Sequence, residues 1–122
     1  MATILLAEDD AGTREIARIV LERGGHTVLE ASSGTEALAL LKKENVDLLL
    51  LDIMLPGLDG HSLLLQLAED GRLNALPVIV LSALGFAKDM FVKFPQVHEF
   101  LEKPFTPLAL DAAVGRLVPA AG

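Results

Sequence analysis

The chain has 122 residues, 52% of them hydrophobic, and a net charge of −7 from 17 acidic and 10 basic side chains. That length holds one domain able to bury roughly two-thirds of its unfolded surface, and with no Trp or Tyr and only five Phe its core must be aliphatic. The absence of cysteine excludes disulfides and thiolate chemistry, there is no basic stripe for nucleic-acid phosphates, and no segment resembles a signal peptide or a membrane span, so the expectation is a cytoplasmic protein with no direct nucleic-acid or membrane partner.

From the N-terminus, Ile4–Ala7 reads as a buried strand ending in Glu8, Asp9 and Asp10. Ala11–Arg23 follows as a helix with Ile16, Ile19 and Val20 at helical spacing, stopped by Gly24 and Gly25. Thr27–Ala31 is a second short strand, with the β-branched residues that favour one. Ser33 and Glu36 form a capping box, the hydroxyl accepting from a helix amide while the carboxylate reaches back. The helix they open carries Ala37, Leu38 and Leu41 on one face and ends near Lys42 and Lys43, cations suited to a helix C-terminus.

Leu48–Leu51 then runs straight into Asp52. A short apolar run between turn signals fits a strand buried on both faces, and the four residues between Asp47 and Asp52 are too few for a helix. After a turn over Pro56–Gly60, Leu63, Leu64 and Leu67 mark a helix ending near Gly71. Val78–Leu81, β-branched and preceded by Pro77, is the clearest strand. A helix is predicted across Lys88–Lys93, broken by Pro95, and Glu99–Leu101 is a fifth strand before Lys103 and Pro104. Thr106 caps a last helix with Pro107 at its first position and Leu110, Ala113, Val114 and Leu117 on one face.

Strict alternation of strand and helix predicts a doubly wound, five-stranded parallel sheet with helices on both faces. In such a sheet the carboxyl ends of the strands share one edge, where ligands bind. That edge collects Glu8 and Asp9 from the first strand, Asp52 from the third, Ser82 from the fourth and Lys103 from the fifth. Two carboxylates about 4 Å apart repel by roughly 4 kcal/mol at an effective dielectric near 20. A hard divalent cation would relieve this, and oxygen-only ligands around an open site suit Mg²⁺, which usually meets phosphate oxygens there. A lysine and a hydroxyl opposite would complete a cradle for a phosphoryl group, with Asp52 as a carboxylate nucleophile forming an acyl phosphate. Each member also has a plainer explanation: the acids favour a helix N-terminus, Ser82 bonds backbone, and Lys103 is a solvated turn lysine. His26, His61 and His98 lie on separate elements without ligand spacing.

The ordered set resembles the receiver domains of two-component response regulators, which share a CheY-like, flavodoxin-like (βα)5 fold with strand order 2-1-3-4-5. The similarity covers essentially the whole chain. Glu8 and Asp9 match the acidic pair, Asp52 in the stretch through Pro56, Asp59 and Gly60 matches the phosphoacceptor, Ser82 matches the hydroxyl, and Lys103 before Pro104 and Phe105 matches the lysine. The resemblance implies that Asp52 takes a phosphoryl group from a phosphohistidine on a histidine kinase or histidine phosphotransfer protein. It implies Mg²⁺, with Mn²⁺ as a substitute, on Asp9, Asp52 and the Met54 backbone carbonyl, with Glu8 acting through water. It also implies that Lys103 pairs with the phosphoryl oxygens and that the Lys103–Pro104 bond is cis. Ser82 and the aromatic Phe100 would be the switch residues, altering the surface of the helix over 88–93, the last strand and the last helix for a downstream protein target.

Catalysis would be limited to self-phosphorylation and slow autodephosphorylation, with a lifetime altered by Met54 and Leu84. The stretch Lys93–His98 departs from the family's usual turn, and the interval from Ser82 to Lys103 is about one residue short of typical, as judged by the resemblance. The expectation is one receiver domain over residues 1–122 with no effector domain, acting as a monomer or weak dimer. The alternatives are a phosphorylation-independent interaction module on the same fold, or a receiver from a hybrid histidine kinase. A flavin carrier would want a hydroxyl- and glycine-rich loop where Glu8, Asp9 and Asp10 stand. An aspartate-based phosphatase would want an acid where Met54 stands.

Overall fold

The computed structural model describes residues 2–82 and 94–118. In chain order these form β1 (Thr3–Ala7), α1 (Ala11–Arg23), β2 (Thr27–Ala31), α2 (Gly34–Lys43), β3 (Leu48–Asp52), α3 (Gly60–Glu69), β4 (Val78–Ser82), β5 (Val97–Glu102) and α4 (Pro107–Leu117). The strands make one parallel sheet in the order β2-β1-β3-β4-β5, which is the doubly wound architecture expected from the alternation. The helix predicted across Lys88–Lys93, and Leu84, lie outside the described residues.

Strand periodicity divides the core in two. On one face Leu5, Leu49, Leu51, Val78 and Val80 pack with Ala37 and Leu41 of α2 and with Leu63, Leu64 and Leu67 of α3. On the other, Ile4, Leu6, Leu48, Leu50, Ile79 and Leu81 pack with Ala17 and Leu21 of α1 and with Leu110, Ala113 and Val114 of α4. β3 and β4 are buried along their whole length, which is why Leu48–Leu51 is a continuous apolar run rather than an alternating one. Burying each of these leucines stabilises the fold by roughly 1.5–3 kcal/mol relative to exposure.

Each helix begins on a side-chain cap. The Asp10 carboxylate accepts from the Thr13 amide at 2.8 Å, Ser33 Oγ from the Glu36 amide at 3.1 Å, and Thr106 Oγ1 from the Ala109 amide at 3.0 Å. In the capping box Glu36 reaches back one residue further than expected, to the Ser32 amide at 2.7 Å. Asp59, which the sequence suggested only as a turn residue, caps α3 by accepting from the Ser62 amide at 2.9 Å.

The apolar face expected of α1 is corrected in part: Val20 packs against the core as expected, but the two isoleucines do not lead it. Ile16 and Ile19 are 54% and 39% exposed, and the helix instead buries Ala17 and Leu21. A helix with apolar residues on two neighbouring stripes can bury either, and the small Ala17 lets α1 sit close on the sheet. β5 also starts two residues earlier than expected, at Val97, because the Val97 side chain fills the α2/α3 face of the core.

The loop between β3 and α3 is seated against the start of α2. Gly34 N–H donates to the Pro56 carbonyl at 3.1 Å, and a Cβ on Gly34 would fall 1.5 Å from the Leu58 carbonyl oxygen. Within the loop Gly57 adopts φ +76°, a left-handed conformation that favours glycine. Gly34→Ala is therefore expected to lose about 2 kcal/mol or more in urea unfolding, because backbone rather than a flexible side chain has to move. Gly71→Ala, with nothing within 4 Å of the added carbon, serves as the control, and equal stabilities of the two variants would show that the loop yields freely.

Candidate functional site

Sheet register explains how residues far apart in sequence meet. Ala7 pairs with Leu51, so Glu8 and Asp52 leave β1 and β3 at the same level. Leu81 pairs with both Asp52 and Leu101, and Ser82 with Glu102, which places Lys103 one step beyond. The Lys103 amide then donates to the Ser82 carbonyl at 2.7 Å. The Lys103–Pro104 bond is cis, as the sequence suggested.

The lysine side chain turns back across the sheet edge. Its Nζ lies 2.9 Å from Asp52 Oδ2, donating a hydrogen bond, and 2.5 Å from Glu8 Oε1. The second contact is an ion pair without hydrogen-bond geometry, which leaves Glu8 Oε1 buried with no hydrogen-bond partner. Asp52 Oδ1 accepts from the Met54 amide at 2.9 Å, and Glu8 Oε2 from the Asp10 amide at 3.1 Å. Glu8 is fully buried and Asp52 is 3% exposed, while Asp9 faces solvent. One carboxylate oxygen from each of Glu8, Asp9 and Asp52 lies within 4.8 Å of the others.

Rather than standing opposite the acids, Lys103 here contacts both of them. Burial, together with a hydrogen bond to Asp52 and that residue's charge, pushes Glu8 up to about 7 against the pull of Lys103 and the Asp10 amide. Burial also pushes Asp52 upward, but hydrogen bonds from Glu8, the Met54 amide and Lys103, with the lysine's charge, outweigh it and hold Asp52 below the ordinary carboxylate range. Burial pulls Lys103 down, and its two acidic partners more than compensate, holding it above the usual lysine range. The adjacent carboxyls are thus shifted in opposite directions, Glu8 upward and Asp52 downward.

The other expected residues fall around this centre. Ser82 closes β4, buried and 1% exposed. Phe100 is half-buried on β5 opposite Val80 and packs against the α2/α3 core face. Met54 is 75% exposed, its amide committed to Asp52. His26 Nδ1 accepts from the Ala2 amide at 3.3 Å, and the His61 ring meets Phe94 edge-on with centroids 5.4 Å apart. Nothing in the sequence pattern pointed to Arg14, whose Nη1 donates to the Glu8 carbonyl at 2.9 Å and whose Nε lies 3.3 Å from Glu30 Oε1. A groove of about 260 Å³ borders Lys103, lined by Thr13, Ile16, Pro104 and Phe105 as well. Among the described residues no helix is long and apolar enough to cross a membrane.

The donor set fits a small hard cation: three carboxylate oxygens, all hard ligands, with one buried oxygen lacking a hydrogen-bond donor. Without a cation, stability should depend on pH through Glu8. Its folded value lies above its unfolded one, so the folded state binds the extra proton and gains stability at low pH, a gain lost as pH rises through about 7. Asp52, held low, is ionised in both states across that window. The metal-free melting temperature is expected to fall between about pH 5 and about pH 8, with a flatter profile for Glu8→Gln. Identical profiles would show that Glu8 is not the titrating group.

Comparison with known proteins places this geometry in a family. The sequence profile of the response regulator receiver domain matches residues 4–115. The chain is 36% identical over 115 residues to the transcriptional regulatory protein AfsQ1 of Streptomyces coelicolor, covering 93% of this chain and 50% of that protein; it spans about half the length of the first curated relatives it matches. The receiver domain of Francisella response regulator 1452 superposes with a TM-score of 0.83 at 32% identity, covering 96% of each chain. The receiver domain of sensor histidine kinase PA1611 from Pseudomonas aeruginosa PAO1, a structure with a magnesium ion coordinated in its active-site cleft, superposes with a TM-score of 0.85 at 25% identity, covering 95% of this chain and 96% of that one. With its five parallel strands in the order 2-1-3-4-5 and its acidic cleft at the carboxyl edge, the chain belongs to the receiver domain family of two-component response regulators.

Proposed function

We propose that the protein is a phosphorylation-controlled switch in which Asp52 accepts a phosphoryl group from a phosphohistidine on a histidine kinase or histidine phosphotransfer protein. The observation that carries this reading is the state of Asp52: a buried carboxylate kept ionised at the sheet edge by Lys103 and the Met54 amide. An ionised oxygen is the form that attacks phosphorus. A carboxylate oxygen of Asp52 forms the new P–O bond, the P–N bond to the donor imidazole breaks, and the imidazole leaves with the electron pair and takes a proton. Lys103 exchanges its carboxylate contacts for the incoming phosphoryl oxygens and meets their charge.

Glu8, Asp9, Asp52 and the Met54 carbonyl would hold Mg²⁺, with Mn²⁺ as a substitute; the ion supplies charge neutralisation of the phosphoryl oxygens. Asp9 stays open to solvent, and Glu8 would act in its ionised form. Ser82, one strand over from Asp52, would hydrogen-bond the phosphoryl group, and the half-buried Phe100 would follow it inward. The new dianionic charge thereby biases the surface around β5 and α4 that meets a downstream protein. The chain itself would do no more than take up the group and hydrolyse it slowly. Residues 2–118 act as one receiver unit, and the activities and partners of proteins twice this length belong to the whole proteins. A second reading, a receiver within a hybrid histidine kinase, is favoured by the likeness to the PA1611 receiver.

Incubation with acetyl phosphate and Mg²⁺ should add one phosphoryl group by intact mass, absent in Asp52→Asn and in EDTA. No adduct, together with no melting shift on adding beryllofluoride and Mg²⁺, would sink the reading in favour of a phosphate-independent interaction module. The groove beside Lys103 offers the donor protein a landing site, since Ile16 stands exposed on its wall. Ile16→Glu is expected to slow uptake from a phosphohistidine protein about tenfold, as for a central contact residue, while uptake from acetyl phosphate stays unchanged. A parallel loss with both donors would place Ile16 in the chemistry or the fold rather than in docking.

A further inference from the structure

We propose that Arg14 is a positioning residue that holds the acidic turn after β1 in the geometry needed to bind the metal; this rests on the reading of the site as a Mg²⁺-dependent one. The turn carries both Glu8 and Asp9, yet Asp9 makes no hydrogen bond that fixes it among those described. Its direction is set by the backbone on either side. The Glu8 amide is held by the Ala31 carbonyl of β2 at 3.0 Å, and the Glu8 carbonyl by Arg14 Nη1 at 2.9 Å. The following Asp10 amide returns to Glu8 Oε2 at 3.1 Å.

Arg14 is itself anchored. Its Nε faces Glu30 Oε1 at 3.3 Å, on the strand next to β1, and Glu30 Oε2 is also 3.8 Å from Arg18 Nε. One planar guanidinium therefore ties the turn after β1, the first turns of α1 and the edge strand β2 together. The Arg14 side chain is 24% exposed, partly screened from water. A fork of fixed donors can make both contacts at once, whereas a lysine ammonium is a single point charge on a flexible stem.

The electrostatic effect of Arg14 has the opposite sign to the positioning effect, which makes the two separable. A cation near an acidic metal site opposes Mg²⁺, so a purely electrostatic role predicts that removing the charge tightens binding. A positioning role predicts that it weakens binding, because partners behind metal ligands typically contribute tenfold or more to affinity.

The test is Mg²⁺ titration of the full chain by calorimetry, for the wild type, Arg14→Met and Arg14→Lys, with urea unfolding of the same proteins. Methionine preserves most of the aliphatic packing. We expect Arg14→Met to weaken Mg²⁺ binding about tenfold and Arg14→Lys to remain weaker than wild type despite its charge. Metal-free stability should change by no more than about 1 kcal/mol, as for an exposed ion pair. Unchanged or tighter binding in Arg14→Met, or full recovery in Arg14→Lys, overturns the role of Arg14 while leaving the metal site standing. No Mg²⁺ binding by the wild type overturns both.

Discussion

The contact of Lys103 with Glu8 and Asp52 is the constraint on which the rest of the site depends. Two carboxyls that leave adjacent strands at the same level cannot both be buried and charged without a cation between them. Lys103 supplies that cation from β5, two strands from β3 and three from β1 in the sheet order. Reaching the acids takes the full length of a lysine side chain, so the residue has to leave its strand just beyond the level of Ser82, and the hydrogen bond donated by the Lys103 amide to the Ser82 carbonyl fixes it there. Strand order, register and side-chain length are thus one requirement rather than three. Moving β5 by a single residue would turn the lysine to the other face.

The same contact leaves the resting site incompletely satisfied. Lys103 has two partners at short range, and only its contact with Asp52 has hydrogen-bond geometry, so Glu8 Oε1 is partnered by charge alone. Burial and the neighbouring Asp52 raise the Glu8 pKa to about 7, so its charged form is disfavoured. A cation is the kind of group that could partner such a carboxylate cluster, since it brings charge of the opposite sign. Phe100 is half-buried on the strand that leads into the lysine, so a change in the lysine's partners arises next to the element that carries this aromatic side chain.

Much of this was legible in the sequence because it is local. Leu48–Leu51 and Val78–Leu81 spell out buried strands, Ser33 and Thr106 announce helix starts, and the acids, hydroxyl and lysine stand at strand ends that alternation alone puts on one edge. What was hidden depends on distance. Ile16 and Ile19 have the spacing of a core stripe, but whether α1 buries them or the smaller Ala17 and Leu21 is decided by how closely the helix sits on the sheet. The start of β5 at Val97 was obscured by Pro95 and Gln96, and only the core behind it draws that residue into the sheet. Gly34 and Arg14 left no local signal, because their partners, the Leu58 carbonyl, the Glu8 carbonyl and Glu30, come from other elements. Even Lys103, correctly placed at the edge, could not be assigned to the acids rather than to a ligand, since that choice turns on a side-chain direction.

The separation of stability from function follows from where the polar groups sit. The core divides into two aliphatic layers that meet only across the sheet, and among the described residues its buried carboxylates, Glu8 and Asp52, are both at the carboxyl edge. The layers can therefore stay packed while charges at the edge are exchanged. β3 is buried along its whole length, so Asp52 ends a strand packed on both faces. Its neighbours stand on loops: Met54 on the one seated against Gly34, and Glu8 and Asp9 on the turn that Arg14 contacts. A carboxylate at the end of a buried strand, flanked by acids on separately tethered loops, can change its partners without disturbing the two core layers.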